Sequence, residues 1–130
     1  MFTGDALLVH PVLEKEAKSI QVYLPGKGES WLELHTGQIF EGGNYKETPV
    51  ELSTIPLYQR SGTIIPKKER MRRSAALTLH DPITLQIFLN SEESYAFGKI
   101  YLDDGYTYDY TSGGYILGEL TYNRKKLKYK

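Results

Sequence analysis

A pair of adjacent carboxylates is the most obvious candidate for chemistry in this sequence. Asp103 and Asp104 stand side by side, and Asp109 follows shortly after. Two carboxylates can act as acid and base in glycoside hydrolysis or hold a calcium ion. However, adjacent strand residues point to opposite faces, Asp-Gly is a preferred turn dipeptide, and the spacing of a calcium loop is absent. We therefore expect a hairpin turn at residues 103–105 and no catalytic residue.

Metal, nucleophile and phosphate sites find no support in the sequence. Its histidines lie far apart, without HExxH or a similar metal-binding spacing. They are His10, His35 and His80. There are no cysteines, and we find no GxSxG elbow, P-loop or GxGxxG cradle. We expect no catalytic, cofactor-binding or metal-binding residue, and no cofactor.

Two further groups of residues could bind a ligand. The basic run from Lys67 to Arg73 could bind phosphate, but it contains no interleaved aromatic residues, and a solvated loop explains it better. Trp31 together with Tyr23 and Tyr45 could form a platform for sugar rings, because aromatic faces suit pyranoses. Core packing is the better explanation for a lone tryptophan in a strand.

The overall charge excludes several classes of partner. Sixteen basic and sixteen acidic side chains cancel, so the positive field that binding to nucleic acid or an anionic membrane usually requires is missing. No apolar run is long enough to span a bilayer, and the N-terminus lacks the layout of a signal peptide. We expect no nucleic-acid partner, no membrane association and no targeting signal in this chain.

Residue patterns indicate an all-β fold that contains an antiparallel β-sandwich. Eleven tyrosines favour strands, and residues 19–24 alternate between polar and apolar, as a half-buried strand does. Further short strands and turns follow at close spacing up to residue 66, including one bent strand with a bulge at Gly62. After a polar connection, residues 83–89 and 96–102 form strands, and residues 106–110 return as the partner of a hairpin.

The apolar run at residues 6–9 is a special case. It does not alternate, which is typical of a strand buried on both faces, as in a parallel sheet covered by helices. We expect this strand to belong to a neighbouring barrel and to be exposed in this chain. Leu7, Leu8 and Val9 would then form an unpaired edge.

Four segments, in order along the chain, resemble glycoside hydrolase family 31. Residues 55–66 (IPLYQRSGTIIP) are similar to the family signature IPVFQRGGTIIP, with Ser61 in place of the first glycine. The other segments are residues 4–12 (GDALLVHPV), residues 22–26 followed by Trp31, and residues 102–105 (LDDG). The resemblance implies a C-terminal fragment: residues 1–18 contain the end of the catalytic barrel and a connector, residues 19–81 form the proximal β-sandwich with its basic connection, and residues 82–130 begin a truncated distal β domain.

The resemblance also implies what the parent protein does. Residues 70–74 and 81–85 are most similar to the neutral α-glucosidases of this family, retaining enzymes that trim α-linked glucose from N-glycans in the endoplasmic reticulum lumen. The partners would be the catalytic barrel of the parent chain and a noncatalytic β subunit. The family nucleophile lies in a W-x-D-M-N motif that this sequence lacks, so the chain would be non-catalytic and would support the barrel. The alternatives are a free-standing carbohydrate-binding module and a small enzyme that uses Asp103 and Asp104.

Overall fold

The computed structural model describes residues 1–90 and 94–130, and its regular elements are mainly strands. The strands are β1 (Phe2–Thr3), β2 (Leu7–Val9), β3 (Ser19–Leu24), β4 (Ser30–Glu33), β5 (Ile39–Glu41), β6 (Asn44–Pro49), β7 (Leu57–Arg60), β8 (Thr63–Lys67), β9 (Thr84–Phe88), β10 (Ala96–Leu102), β11 (Ile116–Asn123) and β12 (Lys126–Tyr129). Two single turns of 3₁₀ helix, Ala75–Thr78 and Asp109–Ser112, accompany them. No helix in the described part of the chain could cross a membrane. The predicted all-β class is confirmed.

The first half of the chain forms a sheet covered by a two-stranded ribbon. The sheet has the strand order β1-β2-β7-β4-β5, and the ribbon pairs β3 with β6. As the alternation in β3 predicts, Val22 and Leu24 are buried on one face. That face packs against side chains of β2, β4 and β7 in a single apolar cluster. The buried members of this cluster are Leu8, Val22, Leu24, Trp31 and Tyr58.

The expectation that residues 6–9 form an exposed edge is wrong. Strand β2 is antiparallel to both β1 and β7, with Leu8 opposite Tyr58. Leu8 retains only 4% of its exposure and belongs to the first core, while Leu7 and Val9 are partly buried. The apolar run therefore reflects a strand inside this fold, with neighbours on both sides. An apolar run alone cannot distinguish that position from a strand of a parallel barrel.

The chain changes sheets at Gly62. Instead of the predicted single bent strand, β7 lies in the first sheet and β8 in the second. Gly62 has a φ of 75°, a left-handed conformation that glycine adopts without the strain of a side chain. Its backbone joins the second sheet, because its N–H donates to Phe88 and its carbonyl accepts from Phe97. The break is thus a junction between two sheets.

A buried glutamine connects the two sheets across this junction. Gln59 in β7 is fully buried. Its Nε2 lies 3.2 Å from the Thr63 carbonyl oxygen, 3.1 Å from Thr63 Oγ1 and 3.4 Å from the Gln86 carbonyl oxygen. In return, Gln86 Nε2 donates to Gln59 Oε1 at 2.8 Å. Because buried polar groups are costly when left unpaired, this mutual pairing holds β7 close to β8 and β9.

The second half of the chain forms the second sheet, with the strand order β12-β11-β10-β8-β9. One pairing departs from the predicted antiparallel pattern, since β8 runs parallel to β10. The two strands approach closely at Gly98, where a Cβ atom would lie 2.2 Å from the Ile64 carbonyl oxygen. One face of this sheet carries the second core, in which Ile64, Ala96, Ile100 and Leu120 are buried.

The predicted hairpin turn at residues 103–105 is also wrong. The partner of β10 is β11, in a register that joins Leu102 to Ile116. Residues 106–110 therefore do not return as a strand. Residues 103–115 instead form one long loop that contains the second 3₁₀ turn, and we call this segment the tyrosine loop.

Candidate functional site

The adjacent carboxylates hold the tyrosine loop in shape. Asp103 Oδ1 accepts from the Gly105 N–H at 3.0 Å, and Asp103 Oδ2 accepts from the Tyr101 hydroxyl at 3.1 Å. Asp104 accepts from the backbone N–H groups of Tyr106 (3.2 Å) and Thr107 (3.1 Å), and from the Thr107 hydroxyl at 2.5 Å. Both side chains therefore act as local caps of the kind that organises turns.

The protonation state of Asp104 is wrong for an acid catalyst. Hydrogen bonds from the Thr107 side chain and backbone hold the pKa of Asp104 below its usual range. A general acid at a glycosidase site needs the opposite shift, so that it is protonated when it meets the leaving group. In contrast, burial and the neighbouring Asp103 raise the pKa of Tyr101, which keeps its phenol protonated as a donor. The geometry does not favour an enzyme built on Asp103 and Asp104.

The basic connection folds back onto one buried carboxylate. Asp81 is nearly buried. Arg72 forms a bidentate ion pair with it, with Nε at 2.9 Å from Oδ2 and Nη2 at 2.6 Å from Oδ1. Arg70 lies 3.4 Å from Oδ1, and Lys68 donates to the Asp81 carbonyl oxygen. The hydrogen bonds from Arg72 hold the pKa of Asp81 below its usual range, although burial opposes them. Two of the five basic side chains, Arg70 and Arg72, are therefore paired with this carboxylate.

Trypsin is expected to make its first interior cut between Lys67 and Arg73, because most of this connection is exposed and lies outside the sheets. Within it, we expect the fastest cut after Arg73, which forms no ion pair with the described residues, whereas Arg72 is held by Asp81. Asp81→Asn should accelerate cleavage within this connection, because it weakens the ion pair with Arg72. Timed digestion followed by mass spectrometry measures the order of cuts. First cuts after Arg60 or Lys99, which lie in strands, would contradict the prediction.

The histidines do not converge on a site. His35 Nε2 lies 3.1 Å from the Ile55 carbonyl oxygen. The Nδ1 atom of His10 is buried without a hydrogen-bond partner, and His80 is exposed beyond the first 3₁₀ turn. Across residues 1–90 and 94–130, no group of three or more histidine and acidic side chains is arranged to hold a metal ion.

The aromatic platform considered from the sequence does not form. Trp31 is buried in the first core, and its Nε1 donates to the Pro25 carbonyl oxygen at 2.8 Å. Tyr23 and Tyr45 are exposed partners across the ribbon, with ring centroids 5.0 Å apart. Their planes are tilted by 51°, so they do not present a coplanar surface for a sugar.

One concavity was not anticipated from the sequence. A groove of about 640 Å³ opens between the ribbon and the first sheet, with Phe40, Thr48, Val50 and Tyr58 among its lining residues. We call it the interlayer groove. It is lined by side chains of both layers, which no local sequence pattern brings together. Glu33, an acidic residue at an inward position of β4, was an indication of this groove in the sequence.

Glu33 in this groove is paired and ionised. Its carboxylate accepts from the backbone N–H groups of Thr36 at 2.7 Å and His35 at 3.3 Å, and also from the Thr36 hydroxyl. Burial alone would raise the pKa of Glu33, but these hydrogen bonds outweigh it and the pKa is lowered. Burial and the Glu33 charge raise the pKa of Tyr58, whose hydroxyl lies 2.6 Å from Thr48 Oγ1. The groove therefore offers fixed polar groups and an apolar wall.

Comparisons with known proteins agree with one another. Residues 1–65 match the model of the Glycosyl hydrolase family 31 C-terminal domain. Neutral alpha-glucosidase AB of Sus scrofa is 50% identical over 110 residues, which are 85% of this chain and 12% of that protein. This chain thus spans about one eighth of the length of that relative.

Solved structures give the same result. The glucosidase II alpha subunit bound to alpha3-Glc2 aligns with a TM-score of 0.87 and 31% identity, over 98% of this chain and 14% of that one. The catalytic subunit in the ER glucosidase II heterodimeric complex, solved with the binding domain of its regulatory subunit, gives 0.86 and 31% over 95% of this chain and 13% of that one.

Proposed function

The chain belongs to glycosyl hydrolase family 31 through its C-terminal domain, and from this premise we propose that it is the non-catalytic C-terminal β-sandwich portion of an α-glucosidase. The parent enzyme would hydrolyse terminal α-linked glucose, in N-glycan trimming or carbohydrate metabolism. The observation that carries the proposal is the likeness to the glucosidase II alpha subunit over nearly the whole chain. The way the local carboxylates are used supports it, because Asp103, Asp104 and Glu33 are all occupied by hydrogen bonds from their own loops.

Support of a catalytic barrel is the role we propose for the domain. The interlayer groove supplies a concave surface with an apolar wall, on which a neighbouring domain can pack. In the parent, residues 1–18 would contain the end of the barrel and a connector, residues 19–81 would form the proximal sandwich, and residues 82–130 would open the distal β domain. Because β1 and β2 pair within the first sheet, residues 1–9 would also contribute strands to the sandwich. Strand β8 lies in the second of these segments but pairs with β9 and β10 of the third. The two units would therefore share a strand.

The compartment and the protein partner belong to the same proposal. One structural relative is the catalytic subunit of a heterodimer described as ER glucosidase II. By analogy, the parent of this chain would work in the endoplasmic reticulum lumen and would bind a glucosidase II β subunit. The remaining alternative, a free-standing carbohydrate-binding module on Trp31, Tyr23 and Tyr45, is disfavoured because Trp31 is buried.

The purified chain is expected to hydrolyse p-nitrophenyl α-glucoside no faster than a buffer blank. The physical reason is that Asp103 and Asp104 cap the backbone of their own loop, and hydrogen bonds hold the pKa of Asp104 below the range that a general acid requires. Release of p-nitrophenol, followed by absorbance, measures this directly. Turnover that survives repurification and disappears in Asp104→Asn would overturn the non-catalytic proposal, provided that the variant melts at the same temperature as the unsubstituted chain.

A further inference from the structure

The tyrosine loop is more elaborate than its topological task requires. It joins β10 to β11, which are antiparallel neighbours. Such strands can be connected by about two residues, and compact surface loops of about 6 to 16 residues that are packed by their own side chains are frequently functional. Here the connection takes up residues 103–115. The additional length therefore calls for an explanation beyond chain reversal.

Internal hydrogen bonds fix this loop along its whole length. Asp103 and Asp104 hold its first turn, as described above. Thr111 then donates through its backbone N–H and its hydroxyl to the Tyr108 carbonyl oxygen, at 3.0 and 2.7 Å. The Gly114 N–H donates to the Asp109 carbonyl oxygen at 2.8 Å and closes the last turn. A loop held in this way loses little conformational freedom when it binds a ligand.

The side chains on this frame form a cluster of exposed tyrosines. Tyr101 at the end of β10 stacks on Tyr115, with centroids 5.5 Å apart and an interplanar angle of 25°. Both rings remain about half exposed, at 49% and 47%. Tyr108 and Tyr110 extend the cluster, with centroids 6.2 Å apart, and Tyr106 is more exposed still. The loop thus offers fixed aromatic faces surrounded by hydroxyl and carboxylate oxygens.

The local charge limits the kind of ligand. Between Lys99 and Arg124 the sequence contains no lysine or arginine, whereas it contains three aspartates in the loop and Glu119 in β11. The loop itself therefore carries only negative charge, which disfavours an anionic ligand. A basic peptide would need free carboxylates, yet Asp103 and Asp104 are already engaged by their own loop. Aromatic faces with hydrogen-bonding oxygens around them suit a neutral, hydroxyl-rich ligand with apolar C–H faces.

We propose that the tyrosine loop is a secondary glycan-binding site for neutral oligosaccharides, on which a sugar ring packs against the exposed face of Tyr115 or Tyr101. A sugar hydroxyl would donate to Asp109, which is exposed and lies in the same loop. The choice of α-linked glucose as the sugar rests on the proposed function, whereas the site itself rests on the geometry of the loop. Such a site would hold a glucan or glycan near the parent enzyme without taking part in hydrolysis.

A titration of the ¹⁵N-labelled chain with maltotetraose tests this site. We expect shifts in the amide resonances of residues 101–117 and weak, saturable binding. Tyr115→Ala should weaken binding by about tenfold, which corresponds to ~1.4 kcal/mol and to the upper part of the range for aromatic contacts. Tyr45→Ala is the matched control, because it also removes an exposed tyrosine from a tyrosine pair, and it should leave binding unchanged.

Each outcome of this titration decides the proposal. The melting temperature of both variants, measured by circular dichroism, should equal that of the unsubstituted chain. A loss of binding then reflects the missing tyrosine and not unfolding. The proposal fails if maltotetraose shifts no resonance of the loop, if Tyr115→Ala binds it as tightly as the unsubstituted chain does, or if the loop binds tetralysine in place of the sugar. None of these results would affect the absence of hydrolysis, so the two proposals can fail separately.

Discussion

Deleting residues 1–9 is expected to lower the free energy of unfolding by about 4 kcal/mol or more, near the top of the range for losing a large buried side chain. The deletion removes β1 and β2, and with them Leu8 from the first core. It also exposes the edge of β7, where Tyr58 and Gln59 are paired with β2. Since small domains are stable by only about 5 to 15 kcal/mol in total, the truncated chain should lose a large fraction of its stability and become prone to aggregate through the exposed edge. Urea denaturation followed by circular dichroism measures the change.

Point variants distinguish the effect of losing core packing from the effect of deleting residues 1–9. Leu8→Ala should cost about 2 to 5 kcal/mol, as is usual for a buried leucine. Leu13→Ala is the matched control, because Leu13 is 88% exposed, and it should change stability by less than about 0.5 kcal/mol. An unchanged denaturation midpoint after the deletion would show that these strands do not belong to the fold and would restore their assignment to a neighbouring barrel.

Gln59→Ala should lower the free energy of unfolding by about 3 kcal/mol, because it leaves buried polar groups without partners and opens a cavity. The Gln86 Nε2 group loses its acceptor, Gln59 Oε1, and Thr63 Oγ1 loses the donor Gln59 Nε2. Thr63 Oγ1 still donates to the Arg60 carbonyl oxygen, and Gln86 Oε1 still accepts from Lys67. Gln21→Ala, at an exposed position of β3, controls for the loss of a strand glutamine. Thermal and urea denaturation both measure the difference.

The coupling between the two glutamines provides a sharper test of the same network. In the double variant Gln59→Ala with Gln86→Ala, the two losses should fall short of additivity by about 1 kcal/mol, since each single variant already breaks the shared hydrogen bonds. Additive losses would mean that Gln59 and Gln86 stabilise the protein independently. In that case the junction between the sheets would have to be held by packing alone.

Local patterns predicted much of the strand content. Alternation located β3 with its correct bounds and its buried face, and the segment that became β10 was predicted without error. Pairing between distant strands was beyond the same patterns. The sequence pattern around a glycine between two strand segments is the same whether the glycine marks a bulge or a change of sheet, and Gly62 does the latter. Likewise, Asp-Gly at residues 104–105 signals a turn without stating how far away the returning strand begins.

The candidate site was only partly accessible from the sequence. The expectation that Asp103 and Asp104 form a turn was sound in its chemistry, since both cap the backbone of their own loop. The tyrosine loop was missed because residues 106–110 alternate as a strand would. Its available signal was the density of tyrosines directly after two aspartates. The interlayer groove had no comparable signal, because its walls come from strands far apart in sequence.

The place of β8 in the second sheet has a consequence for how the chain is made. During synthesis, β8 leaves the ribosome before β9 and β10, between which it must insert. Until residues 96–120 follow, Ile64 lacks the neighbours that bury it, so a nascent chain that pauses in this interval carries an unpaired apolar strand for chaperones to shield. The same arrangement limits gene recombination. In a recombinant gene joined at the basic connection, the transferred second sheet would lack β8, which lies between β10 and β9. A junction placed before β7 would transfer that sheet complete.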